Sequence, residues 1–183
     1  MPWSLKRFHE SGQTHFVTFS CYQRRPLFLT DTSKQTFESA LERVRRSYYL
    51  CVYGYVIMPE HVHLLFSEPQ QATLAEALKS LKQGVSRRLI AEAEHFWQKR
   101  YYDFNIRNHQ QFVEKLRYIH RNPVKRGLCE RPEDWKWSSF LHYATGQEGR
   151  VEIESEWTAR KRERAAGRLC SAVELPHSSQ NLA

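Results

Sequence analysis

Two histidines stand one residue apart in an otherwise apolar run, VIMPEHVHLLFSEP, from Val56 to Pro69. In an extended strand, residues i and i+2 share a face. His61 and His63 therefore project side by side, while Val62, Leu64 and Phe66 turn the other way into a core. Two imidazoles on one rigid strand make a two-point clamp for a metal ion. A pair of hydrogen-bonded structural histidines gives the same pattern, and so short a motif does not separate the two. A catalytic metal site also needs a third ligand and a reacting group, and His109 to Arg121 carries candidates for both. There Phe112, Leu116 and Ile119 line one face of a helix. At about 100° per residue, Tyr118 falls roughly 120° from that stripe. Tyr118 is thus either a surface tyrosine or a nucleophile, and not a core residue of this helix. Asn122 lies one turn further on, on Tyr118's face, and His120 lies nearer the apolar flank.

The surrounding sequence predicts the elements that would position these groups. His15 to Cys21 alternates β-branched and aromatic residues and reads as a strand, with Gly12 before it and Arg24-Arg25-Pro26 closing it. Asp31 to Tyr48 reads as a helix, with Phe37, Leu41 and Val44 on one face and Asp31 or Ser33 as the cap. Leu50 to Ile57 is a second strand. Met58-Pro59-Glu60 interrupts it, and His61 to Phe66 resumes as a third, in a hairpin too tight for a parallel crossover. Ala72 to Ala93 carries the stripe Leu74, Leu78, Leu81, Val85 and Leu89 and reads as a helix. Phe96 to Ile106 is aromatic and basic, either strand or extended chain. The helix from His109 is expected to stop at Asn122-Pro123, with Gly127 beyond. Asp134 to Ser139 reads as a turn before a short helix. The order predicts an α+β fold, with a central antiparallel β-sheet and helices packed on one of its faces. Beyond Gly146 the composition shifts to Glu, Arg, Ser and Gln, so the chain divides into a domain at 1–146 and a tail at 147–183. The tail is expected to be helical or disordered with little core.

Length and charge narrow the function classes. The chain has 183 residues, 40% of them hydrophobic, with a net charge of +8. That is enough for one domain with a real core, and no apolar run reaches the roughly 18 residues of a membrane span. The N-terminus has no secretory h-region. Four scattered cysteines without a CxxC pair argue against a disulfide framework or zinc knuckle and fit a reducing cytoplasm. A basic balance favours polyanionic partners. The cations cluster at Lys79, Lys82 and Arg87, at Lys99 and Arg100, and at Lys115, Arg121 and Lys125. Trp97, Tyr101 and Tyr102 are interleaved with them. Cations with aromatic platforms suit single-stranded nucleic acid. Ordinary solvated lysines and a core Trp97 are the bland alternative.

Four segments in order, MPEHVHLLF, FWQKRYYDFNIRN, YIHRNPVKRGL and WKWSSF, resemble the REP-associated tyrosine transposases, members of the single-tyrosine HUH endonucleases and the insertion-sequence-like transposase superfamily. The resemblance spans about residues 5 to 145 and implies an HUH fold, a ferredoxin-like or RRM-like sandwich. It implies that His61 and His63 bind a divalent metal, Mg²⁺ or Mn²⁺, and that Tyr118 is the nucleophile. A side-chain amide one turn on completes such sites, which maps to Asn122, with His120 as the substitute. The implied partner is single-stranded DNA carrying imperfect hairpin repeats, contacted by Lys79, Lys82, Arg87, Lys99, Arg100, Tyr101, Lys115, Arg121 and Lys125.

The implied activity is metal-dependent single-strand DNA cleavage and strand transfer through a 5′-phosphotyrosine, as in a transposase. A cation neutralises charge on the phosphoryl oxygens and on the leaving 3′-oxygen. The tyrosine ester conserves the phosphodiester's energy for rejoining. Two other readings remain: a domesticated protein that binds repeat hairpins without cutting, and a metal hydrolase that uses water. A monomer in the cytoplasm, associated with the nucleoid, is the expectation, with the dimer of insertion-sequence relatives as the alternative.

Overall fold

The structure, a computed structural model, describes residues 14–90 and 95–172. Gly12 lies outside the described residues, as do 91–93 of the helix expected over Ala72–Ala93, but that helix has already ended at Leu89, with Ile90 extended. Four strands, β1 (Thr14–Ser20), β2 (Val52–Ile57), β3 (His61–Ser67) and β4 (Tyr102–Ile106), form one sheet in the order β2-β3-β1-β4. Every pairing is antiparallel. The α+β fold class is as expected, and β2 and β3 form the expected hairpin.

The helices do not share one face. Helix α1 (Asp31–Ser47) and helix α2 (Leu74–Leu89) cover the side carrying Val17, Phe19, Val62, Leu64 and Phe66. Helix α3 (His109–Lys125) covers the other side, against Phe16, Val56 and Leu65. The one-sided packing read from the sequence is therefore corrected to two-sided. The cause is visible in β3, where every residue from His61 to Phe66 is buried. A strand covered on both faces reads as a continuous apolar run and does not say where its helices lie.

Local chemistry fixes the helix ends. Thr30, and not Asp31 or Ser33, caps α1 by accepting from the Ser33 amide at 3.1 Å. Thr73 and Glu76 cap α2 reciprocally, and Asn108 caps α3 by accepting from the Gln111 amide at 2.9 Å. Helix α3 does not stop before Pro123. It runs on to Lys125, with the Arg126 amide bonding the Asn122 carbonyl at 3.0 Å and Gly127 turning out at φ 67°. Pro123 removes only one intrahelical donor in the last turn, a loss that a packed helix end tolerates. Asn122 thereby stays on a regular helix.

Beyond the 3-10 turn Pro132–Asp134 and helix α4 (Phe140–Thr145), the chain returns to the sheet. Ile153 bridges Val52 in parallel, the Glu154 amide donates to the Val52 carbonyl at 2.7 Å, and Val151 and Ile153 are buried in the core. The expected boundary at residue 146 puts these two residues on the side of the tail, yet both belong to the core. Helix α5 (Glu156–Ala172) follows.

Candidate active site

Strand alternation delivers the two histidines as the sequence predicts, onto the face of β3 opposite Val62, Leu64 and Phe66. Both are 4% exposed. His61 Nε2 and His63 Nε2 converge to 3.0 Å. Each ring's far nitrogen is held: His61 Nδ1 lies 3.1 Å from Glu60 Oε1, and His63 Nδ1 lies 2.6 Å from Thr18 Oγ1. Thr18 comes from β1, whose register sets it directly opposite His63. A carboxylate only accepts, so His61 carries its proton on Nδ1 and turns the Nε2 lone pair toward His63. His63 can donate from Nε2 to that lone pair, or hold its proton on Nδ1 against Thr18 and free both Nε2 atoms. The Thr18 hydroxyl, donor and acceptor at once, permits either.

The electrostatics keep both rings neutral. Burial pushes His63 down to about 3, aided by His61 and Lys115. Burial also lowers His61, although the Glu60 carboxylate partly offsets it. Burial raises Glu60, but His61 and Arg126 outweigh that and hold it below the usual carboxylate range.

Asn122 reaches the same point from α3. Its Nδ2 lies 3.3 Å from His63 Nε2, and its Oδ1 is buried without a hydrogen-bond partner. The two ends of a side-chain amide are distinguished only by their hydrogen bonds. A half-turn of this one brings the orphaned oxygen to His63 Nε2. Two imidazole nitrogens and an amide oxygen suit a divalent cation such as Mn²⁺ or Mg²⁺ and leave positions open to substrate oxygens. The His-pair separation matches adjacent ligands with bonds of about 2.1 Å. Among the described residues no group of three or more His, Cys, Asp or Glu side chains is placed to hold a metal ion; the candidate set rests on the convergence of His61, His63 and Asn122.

Tyr118 stands beside it. Its ring centroid is 5.1 Å from that of His63 and 5.9 Å from that of Phe16, and the residue is 39% exposed. His61, His63, Asn122 and Tyr118 open into one cavity of about 570 Å³, whose lining also holds Arg24, Lys115, Lys125 and Arg126 and includes no carboxylate.

The IS200-like transposase family model ("Transposase IS200 like") matches residues 9–122, from before β1 to Asn122. The chain belongs to that family of transposases. It is 28% identical to the REP-associated tyrosine transposase of Escherichia coli (strain K12), across 74% of this chain and 81% of the relative. A Haemophilus influenzae protein given the same name provisionally is 30% identical, across 75% of this chain and 85% of that one. The fold matches a solved REP-associated tyrosine transposase bound to a REP hairpin, with a TM-score of 0.68, 21% identity and 97% of both chains covered.

The other expected site residues of this transposase fall on two separate surfaces or on neither. Lys115 and Lys125 line the cavity, Lys115 over the Phe16 and Phe104 rings at 4.8 and 4.6 Å and Lys125 5.7 Å from the Tyr118 ring. Lys79, Lys82, Lys99 and Tyr101 line a second groove of about 350 Å³ beside α2, on the opposite face of the sheet. Arg87, Arg100 and Arg121 are exposed and line neither. The Lys82 amine donates to the Gln98 carbonyl at 2.9 Å, and the Trp97 indole donates to the Lys82 carbonyl at 2.8 Å. Trp97 packs on Phe19, Phe28 and Phe96, a core role. His120 faces away from the cavity: its Nε2 lies 2.9 Å from Ser139 Oγ, so it is no substitute ligand.

Sequence reasoning missed Thr18, Glu60, Arg24 and Arg126. The alternation of HFVTFS placed Thr18 on the face opposite Val17 and Phe19, and Glu60 is the one carboxylate adjoining the histidine pair. Arg126 meets Glu60 across 66 residues, a pairing no local pattern carries.

Proposed function

We propose that this transposase is a metal-dependent endonuclease and strand transferase for single-stranded DNA, acting at palindromic repeat hairpins through a 5′-phosphotyrosine. The observation that carries the reading is the convergence of His61 Nε2, His63 Nε2, Asn122 and Tyr118 on one cationic cavity. The relatives' designations and the hairpin-bound neighbour support the substrate class. One chain supplies all four groups, which supports action as a monomer.

His61, His63 and Asn122 would hold the cation. When bound, it supplies a positive charge for the phosphoryl oxygens and the departing 3′-oxygen. Tyr118 stands on an exposed face of α3, free to approach phosphorus from the cavity. The Tyr118 oxygen bonds to phosphorus as the bond from phosphorus to the 3′-oxygen breaks. The phenol's proton is lost to solvent, and the 3′-oxygen takes one up and leaves as a hydroxyl. The ester is as energetic as the phosphodiester it replaces, so a second 3′-hydroxyl reverses the step and joins strands without ATP. Lys115 and Lys125 hold phosphate charge beside the nucleophile.

The test is a denaturing gel of end-labelled single-stranded repeat DNA incubated with protein and Mg²⁺ or Mn²⁺. A retarded covalent band is expected with the wild type and absent with Tyr118→Phe, with His61→Ala and with chelator. Cleavage that persists in Tyr118→Phe would mean water is the nucleophile. Hairpin binding on a native gel with no covalent band under any metal would make the protein a binder.

A further inference from the structure

The cavity wall at its His61 end holds two arginines that the reading above does not use. Glu60 Oε1 accepts from Arg126 Nη2 at 2.7 Å and lies 3.8 Å from Arg24 Nη2. Both arginine side chains stay exposed, at 63% for Arg24 and 49% for Arg126, while Glu60 is buried. One carboxylate serves two cations, so the cluster keeps an unbalanced positive charge facing the cavity that both arginines line.

Their placement is built in at the backbone. Arg24 and its neighbour Gln23 both have positive φ, 55° and 51°, in the left-handed region that side chains disfavour. Such strain in an exposed turn is held by its surroundings: the Arg24 amide bonds the Cys21 carbonyl at 2.9 Å, and Gln98 Oε1 accepts from the Gln23 amide at 3.3 Å. Arg126 caps the C-terminus of α3, eight residues past Tyr118 and roughly 12 Å further along the axis.

We propose that Arg24 and Arg126, gathered by Glu60, form a clamp for a backbone phosphate flanking the scissile one. The ligand is the phosphodiester chain of single-stranded DNA, and the inference rests on the proposed function for that class. Arginine suits the position because its planar fork can turn one edge to Glu60 and another to a phosphate. The same Glu60 carboxylate holds the His61 ring, so one side chain joins the clamp to the candidate metal ligand.

The experiment is fluorescence anisotropy of a labelled single-stranded repeat oligonucleotide in chelator, titrated over a range of salt so that no cleavage intervenes. Arg24→Ala and Arg126→Ala are each expected to reduce the slope of log K against log salt by about 0.7, and the double variant by twice that. Arg126→Lys keeps a charge in place and is expected to hold the wild-type slope. Arg131→Ala, which lies outside the cavity and pairs with Asp134, is expected to leave the slope unchanged. Unchanged slopes in both clamp variants, or an equal loss in Arg131→Ala, overturn the proposal. Covalent adduct formation by the wild type is scored separately with metal. An adduct with unaltered slopes sinks the clamp alone, and a missing adduct sinks the cleavage reading while the slopes still report on the clamp.

Discussion

Among single residues the histidines carry the clearest physical signal, because their surroundings drive them in opposite directions. His63, His61 and His120 are lowered by burial, His63 to about 3 and His120 to about 4. Burial also lowers His15, but its hydrogen bonds to Asp103 at 2.9 Å and Glu68 at 3.1 Å outweigh it and raise the group. For a histidine held low, stability is fully present above the unfolded value near 6.5. It drains away as pH falls toward the folded value, because the unfolded chain binds the proton first. For His15 the sign reverses: its contribution is present below 6.5 and is lost as pH rises through the raised folded value. His120 donates no catalytic function in this reading, so it is the clean probe. By pH 5 its neutral burial accounts for about 2 kcal/mol of lost stability. Urea denaturation at pH 7 and pH 5 is expected to show His120→Gln losing less between the two than the wild type. An equal loss would mean that His120 is protonated in the folded protein. His15→Gln is expected to lose more than the wild type over the same interval, by the same reasoning with opposite sign.

At the scale of elements, the site depends on how closely α3 approaches the sheet. Gly54 on β2 sets that distance: a Cβ there would stand 2.6 Å from Leu116 Cδ1 and 3.3 Å from Ser139 Oγ. Ser139 Oγ is already committed to the Tyr55 amide and to His120. Gly54→Val is expected to cost about 2 kcal/mol in a urea titration. It should also lower covalent adduct yield by displacing Tyr118 and Asn122 from His63. Full adduct yield in a destabilised Gly54→Val would show that the helix tolerates the shift. How far the elements could be read follows from the same geometry. The period-two pattern of β3 gave the orientation of His61 and His63, and the 3.6-residue pattern of α3 put Tyr118 and Asn122 on one face. Neither pattern said that the two faces would meet, because β3 is buried on both sides and offers no hint of which helix covers which. Pro123 is a stop signal in the sequence, yet packing of the buried Asn122 and Pro123 holds the last turn of α3 through it. The Glu60–Arg126 pair and the Thr18–His63 pair join segments far apart in sequence, so only the assembled sheet reveals them.

Across the whole molecule, positive charge lies on both faces of the sheet, in the cavity and in the groove beside α2, so charge alone does not locate the DNA path. Among the described residues no helix is long and apolar enough to cross a membrane. The sheet is not closed by the first 146 residues. Val151 and Ile153 fill the core beside Val52, and Glu154 extends the backbone pairing. Arg162 ties Glu152 and Glu154 to α5 through exposed ion pairs at 2.8 and 2.9 Å, which carry little free energy in water. The burden therefore falls on the two apolar side chains. A chain ending at Gly146 is expected to lose about 4 kcal/mol against the full-length protein, because each buried aliphatic side chain contributes roughly 1.5–3 kcal/mol. A chain ending at Glu154 keeps both residues and should retain nearly all of the stability without α5. Urea titrations of the three forms decide between a dispensable tail and a late piece of the core. Equal stability of the 146-residue and full-length chains would show that Val151 and Ile153 rest on the sheet without supporting it.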